Sequence, residues 1–223
     1  MAATINYDRA LPETQPFADP RGWIRHTASG NDELVIAPAS YGLRGAGASI
    51  RYTLADSPFG RMLLAATAHG LCWLGLAVPD DRLEAELRGD YPAADLIRDD
   101  ALLMPLAGAI VDFINGRRAE LNLPLDLRAT PFMAAVWHQL CLIPRGSTRS
   151  YSAIAERLGK PAAARAVGHA NGSNPLAVII PCHRAIGADG SLTGYRWGLE
   201  LKRRLLDHER ALIQTSLILP SRE

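Results

Sequence analysis

Between Ser49 and Ala77 the apolar residues fall into three short β-rich runs, SIRYTLAD, RMLLAAT and LCWLGLA. Ser57-Pro58-Phe59-Gly60 and His69-Gly70 punctuate them, a pattern that predicts a meander of antiparallel strands. The period then changes. Asp80 to Arg88 and Asp99 to Asn115 carry apolar positions at spacings of three and four, among them Leu102, Leu103, Leu106, Ile110, Phe113 and Ile114, as amphipathic helices packed on a sheet do. Residues 49–128 therefore read as an α+β domain, a small antiparallel sheet with helices.

After the extended LNLPLDL the pattern changes again. Thr130-Pro131 starts a helix in cap-then-proline order, running through Val136, Trp137 and Leu140 until Pro144. Ser150 caps a second helix, Tyr151 to Leu158, ended by Gly159; Lys160-Pro161 makes a turn and Ala162 to Ala170 a third helix. This is a helix-turn-helix spacing, although packed helix pairs of this kind also occur in proteins that never meet DNA. Val178 to Ile180 reads as a short buried strand, Leu192 to Gly198 as a glycine-punctuated loop or wing, and Leu199 to Glu209 as a closing helix. Residues 129–211 thus form a second, mostly helical domain. Residues 1–48, with Pro12, Pro16, Pro20 and Pro38 and no sustained period, read as a flexible arm or linker, with GLRGAG (42–47) as a hinge. Residues 212–223 read as a tail.

A chain of 223 residues with 48% hydrophobic and 21% charged residues excludes disordered, collagen-like and membrane classes. The N-terminus shows no basic start followed by an apolar run, so no signal sequence is expected, and three cysteines without close spacing suggest neither a disulfide scaffold nor a zinc knuckle. A reducing, cytoplasmic compartment and a monomer are expected. The net charge of +1 conceals an asymmetry: Asp80 to Asp126 holds eleven acidic against five basic residues, Thr148 to Arg204 nine basic against three acidic. An anionic partner at one end of the molecule is the functional reading, a solvated basic helix face the plain one.

Two segments carry candidate chemistry. In AAARAVGHA small residues surround a lone Arg165, so the backbone at Ala166 and Gly168 can approach a nucleic-acid groove while the arginine reaches into a base stack; close helix packing is the alternative. Cys182, beside His183 and Arg184, is placed where a reactive thiolate is expected, although any one such cysteine is more often structural. Cys72 and Cys141 sit in apolar patterns that fit structural roles, and the remaining histidines read as structural or solvent-facing.

Asn174-Pro175, Ile180-Pro181-Cys182-His183-Arg184, Gly194-Tyr195 and Leu205-Leu206-Asp207-His208-Glu209 resemble the O6-alkylguanine-DNA alkyltransferases, from about Ile50 to Glu209 and most strongly from Pro131 onward. The resemblance implies a ribonuclease H-like first domain, a winged helix-turn-helix second domain, and cofactor-free, single-turnover transfer of an alkyl group from guanine O6 in double-stranded DNA to Cys182. By the same resemblance His183 takes the thiol proton through a water and Glu209 orients that histidine. Asn174 joins the recognition helix to the active-site strand, Tyr151 protonates the leaving base, and Arg165 fills the gap left by a base flipped through the minor groove. Ser150, Ala166, Gly168 and Arg184 are expected on the DNA side, and Tyr195, Ala185, Arg196 and Lys202 around the substrate pocket. O4-alkylthymine is a further conceivable substrate.

Ala185 stands where the family usually has valine, and Asn171, a variable position, receives no role. The loop Gly-Tyr-Arg-Trp-Gly most resembles the C-terminal half of the bacterial adaptive-response proteins, but residues 1–48 hold no cysteine, so no zinc-bound phosphotriester site and no metal are expected. Two rival readings are a non-covalent lesion sensor, which would lack the nucleophile, and a multiple-turnover cysteine hydrolase, for which the basic helix-turn-helix would have no purpose.

Overall fold

The computed structural model describes residues 22–27, 33–118 and 120–218. Three hairpin-linked strands, β3 (Ser49–Ser57), β4 (Gly60–Thr67) and β5 (Gly70–Leu76), form the meander expected from the sequence. Residues of β4 alternate strictly between two apolar layers, Met62, Leu64 and Ala66 facing one and Leu63 and Ala65 the other, so this strand is buried on both sides. A register shift between Ala65 and Ala66 inserts one extra residue in β5, which puts Cys72 and Trp73 in the same layer. Helix α1 (Asp80–Asp90) covers that layer through Leu83 and Leu87, and α2 (Asp100–Ile114) covers the opposite one. Asp99 caps α2 by accepting from the Leu102 backbone N–H.

The full sheet has seven strands in the order β2-β1-β7-β5-β4-β3-β6. Strand β6 (Asp95–Arg98) lies parallel to β3 at one edge, and β7 (Glu120–Leu125) runs along β1 (Gly22–Thr27), which pairs with β2 (Glu33–Val35) at the other. The expectation of an arm over residues 1–48 is thus corrected for its described second half. Strands β1 and β2 join the sheet because the backbone groups of β1 find partners on β7, some hundred residues away. Residues 1–21 and 28–32 lie outside the described residues. The GLRGAG segment is a tight turn in which Gly45, at φ 85°, lies against Tyr91 and Ala94; a side chain there would collide with both.

The second domain opens with α3 (Pro131–Cys141), capped by the Thr130 hydroxyl, followed by the short β8 (Arg149–Ser150) and α4 (Tyr151–Arg157), capped by the Ser150 hydroxyl on the Ala153 N–H. A 3-10 turn at Pro161–Ala163 leads into α5 (Ala164–Gly172). Trp137, fully buried on α3, donates its indole N–H to the Ala170 carbonyl at 2.8 Å and fixes the end of α5. Strand β9 (Ala185–Ile186) pairs in parallel with β8, and α6 (Leu199–Ile218) closes the chain. The expected tail at 212–223 is therefore helical as far as Ile218; residues 219–223 are not described.

Val178 to Ile180 is not the strand its apolar run suggests. The chain there coils through tight turns: Ile179 N–H donates to the Ala177 carbonyl at 2.7 Å, Cys182 N–H to the Ile180 carbonyl at 2.7 Å, and Val178 has φ 68°. A β-branched residue in the left-handed region is strained by about 1–3 kcal/mol, tolerated where surrounding contacts over-determine the backbone. Those contacts come from β5: Leu74 N–H donates to the Pro175 carbonyl and Ala177 N–H to the Leu74 carbonyl, so the first domain's sheet holds the turn that leads to Cys182.

Candidate active site

Cys182 opens a 3-10 turn, Cys182–Arg184, and is 4% exposed. Asn174, just past the end of α5, organises the approach: its Nδ2 donates to the Ile180 carbonyl at 2.8 Å and lies 3.1 Å from both the Leu176 carbonyl and Cys182 Sγ, while its Oδ1 accepts from Leu176 N–H. Burial pushes the Cys182 thiol up, and the Asn174 amide and the charge of Lys202 oppose it. The thiol therefore keeps its proton until a base removes it.

The next residue in the chain carries an imidazole. His183 is wholly buried, and burial pulls its imidazole down so that the neutral form prevails, even though Glu209 favours the cation. Its Nε2 lies 2.9 Å from Glu209 Oε1, which fixes Nε2 as the donor and leaves Nδ1, which makes no hydrogen bond, as the acceptor. Burial alone would raise the Glu209 carboxyl. His183 and Arg184 outweigh it and hold the group far below the usual carboxylate range. Arg184 forks onto Glu209 through Nε and Nη2 and donates Nη1 to the Ile143 carbonyl at 2.7 Å; Gly146 N–H donates to Glu209 Oε2. The expected DNA contact by Arg184 is thereby corrected: the residue is 5% exposed and its guanidinium is the counter-charge of the buried carboxylate.

Cys182 and Asn174 open onto a cavity of about 450 Å³ bounded by Tyr151, by Gly168, Asn171 and Gly172 on one face of α5, and by the segment Thr193 to Trp197. Tyr151 Oη donates to the Thr193 carbonyl at 3.3 Å. Tyr195 Oη is buried without a partner, and its phenol is pushed well up by burial. Lys202, fully buried, lies behind this wall rather than in it: Nζ donates to the Thr193 carbonyl at 2.8 Å, and burial pulls its pKa down to about 8. Ala185 does not line the cavity either, since β9 pairing with Arg149 turns it into the core. Asn171, to which the sequence assigns no role, lines it as a 4% exposed residue whose amide Oδ1 has no partner. A larger hollow of about 580 Å³ between residues 36–39 and the start of α3 is lined by no carboxylate, histidine or cysteine.

Arg165 and Ala166 are exposed on the outer face of α5. Among the described residues, Arg149, Arg157, Lys160 and Arg165 make no ion pair, whereas Arg184, Arg196, Arg203 and Arg210 of the same domain do. The basic excess expected from the charge asymmetry thus includes four cations in and beside the helix-turn-helix that no carboxylate pairs.

Residues 50–127 match the family described as 6-O-methylguanine DNA methyltransferase, ribonuclease-like domain, and residues 131–211 the DNA binding domain of the same family. The inducible methylated-DNA–protein-cysteine methyltransferase of Bacillus subtilis is 45% identical over 148 residues, covering 66% of this chain and 83% of that one. The chain belongs to the 6-O-methylguanine DNA methyltransferase family. The chain is also 41% identical over 193 residues to the regulatory protein ada of Salmonella typhimurium, covering 86% of its own length but 54% of the relative, and so spans about half the length of that protein. Among solved structures, that of the Mycobacterium tuberculosis OGT in complex with DNA superposes with a TM-score of 0.60 at 40% identity, over 73% of this chain and 94% of the other. The α+β architecture with a mostly antiparallel first-domain sheet and a helical second domain agrees with that kinship. No described helix is long and apolar enough to cross a membrane.

Proposed function

We propose that this chain repairs DNA by direct reversal, with Cys182 taking the alkyl group from O6 of an alkylguanine flipped out of the duplex, once per molecule. The observation that carries this reading is the buried His183–Glu209 pair, locked by Arg184 and next in the chain to Cys182, which opens onto a cavity large enough for a purine. His183 Nδ1 accepts the thiol proton, through a water, and Glu209 stabilises the resulting imidazolium. The Cys182 S–C bond forms as the O6–C bond breaks, and guanine leaves with its charge neutralised by a proton from Tyr151. Thiol and O6-alkylguanine become thioether and guanine, and the balance closes with no further reagent once the proton held by His183 returns through solvent to the Tyr151 phenolate. A thioether does not return its alkyl group, which makes the reaction stoichiometric.

The unneutralised cations of the helix-turn-helix supply phosphate contacts, and the kinship with a protein crystallised on DNA supports double-stranded DNA as the partner. The test is intact-protein mass after mixing with a duplex bearing one O6-methylguanine, followed by peptide mapping. One methyl per molecule on Cys182, saturating at one equivalent, is expected. Tight binding without mass gain would turn the reading to a lesion sensor, and multiple turnover of an ester without DNA to a hydrolase.

Arg165 is assigned the space vacated by the flipped nucleotide, from its exposed place on α5. Unstacking a base costs a few kcal/mol, so Arg165→Ala is expected to slow the reaction with duplex about tenfold or more while leaving that with free O6-methylguanine unchanged. Equal slowing of both substrates, read from paired rate constants, would remove the role.

A further inference from the structure

One wall of the pocket is a short segment, Tyr195-Arg196-Trp197, set between Gly194 at φ 43° and Gly198 at φ 92°. At both glycines an added Cβ would meet no atom within 4 Å, so backbone conformation and not crowding selects glycine there. The rings of Tyr195 and Trp197 meet edge to face at 5.5 Å. From Thr193 to Gly194 the wall is tied to its own domain by Lys202 Nζ. Arg196 ties it to the other domain. Its Nη2 lies 2.8 Å from Asp90 Oδ2 and its Nε 3.4 Å from Glu86 Oε2, both on α1. Its guanidinium also stands 5.7 Å from the ring centres of Trp73 on β5 and of Trp197, and Trp73 donates its indole N–H to the same Asp90 oxygen at 2.8 Å.

We infer that Arg196 is a positioning residue, an electrostatic latch by which α1 holds the aromatic wall of the pocket in place for the reaction at Cys182. The inference rests on the reading of Cys182 as alkyl acceptor. A lone exposed ion pair would hold little, but two carboxylates and two indole faces around one half-buried guanidinium form a network. Neither α1 nor Trp73 lines the cavity, so α1 acts on the pocket wall through this contact. Loosening the wall lets the purine sit askew of Cys182, and small misplacements of a reacting atom are costly in rate.

The full chain is tested as Arg196→Met, which keeps reach without charge, and as Arg196→Lys, which restores charge. The substrate is free O6-methylguanine, whose neutrality removes phosphate binding from the salt response. Arg196→Met is expected to react about tenfold more slowly at saturating base, with faster hydrogen exchange at residues 193–198. Raising salt from about 0.1 M to about 1 M shortens the screening length from about 10 to about 3 Å. It should bring the wild type down toward the Met variant, leave that variant unmoved, and the Lys variant should recover most of the rate. A Met variant with wild-type rate and exchange overturns the latch. So does a slow Met variant that keeps the wild-type salt response and is matched by an equally slow Lys variant, because then only packing has been lost. Should the wild type transfer nothing to Cys182, the reading of that residue falls, while the exchange of 193–198 and its salt dependence still decide on the latch.

Discussion

A Cys182→Ala protein mixed with alkylated duplex is expected to gain no mass at all, while folding normally and binding the damaged duplex as the wild type does. The thiol's hydrogen-bond contact is with Asn174 Nδ2, which keeps the Ile180 carbonyl as partner when Sγ is gone. Removing one buried sulfur therefore costs about 1 kcal/mol of stability. No other cysteine can substitute. Cys72 is fully buried under α1 and burial drives its thiol far up, and Cys141 is 1% exposed in the core at the end of α3. Peptide mapping that found a methyl on either residue would overturn the assignment of the nucleophile, and loss of binding together with transfer would mean that Cys182 supports the fold of the site.

The contrast between these cysteines shows what the sequence can disclose. Local signals are readable: Thr130 and Ser150 cap where hydroxyls precede apolar periodicity, and glycine or proline marks each turn of the meander. Segments whose partners lie far along the chain are not. Trp23 to Arg25 become strand because β7 offers unpaired backbone groups, and Val178 leaves the strand region because Leu74 holds Pro175 and Ala177 from the sheet. Asn174, His183 and Glu209 are legible through the family motif, although α6 runs past Glu209, its expected end, to Ile218. The resemblance that puts Arg184 on the DNA side and Lys202 at the pocket does not reveal that Glu209 waits for the first in the core, or that the partner of the second is a carbonyl behind the wall. Arg196 is placed near the pocket by its motif, but its acidic partners lie on a helix whose packing no spacing reveals.

The buried carboxylate of Glu209 carries the second large effect. Glu209→Gln is expected to lose about a hundredfold or more in transfer rate and about 3 kcal/mol in stability, because it leaves His183 without a stabilising anion and Arg184 without a counter-charge in the core. The sign of the pH dependence follows from the direction of the shift. Folding holds the Glu209 carboxyl well below its ordinary 4.5, so its contribution is present above that value and is lost as pH falls through it toward the folded value. Denaturant unfolding should therefore show the wild type well above Glu209→Gln near neutrality, with the gap closing in acid. Arg184→Met separates the two roles. It breaks the same ion pair but leaves the carboxylate on His183, and should destabilise comparably while keeping most of the rate per folded molecule. If Arg184→Met loses as much rate per folded molecule as Glu209→Gln, Glu209 serves the architecture of the site and not the proton relay. If the stability gap is unchanged by acid, the carboxylate is not the charged partner that its contacts with His183 and Arg184 require.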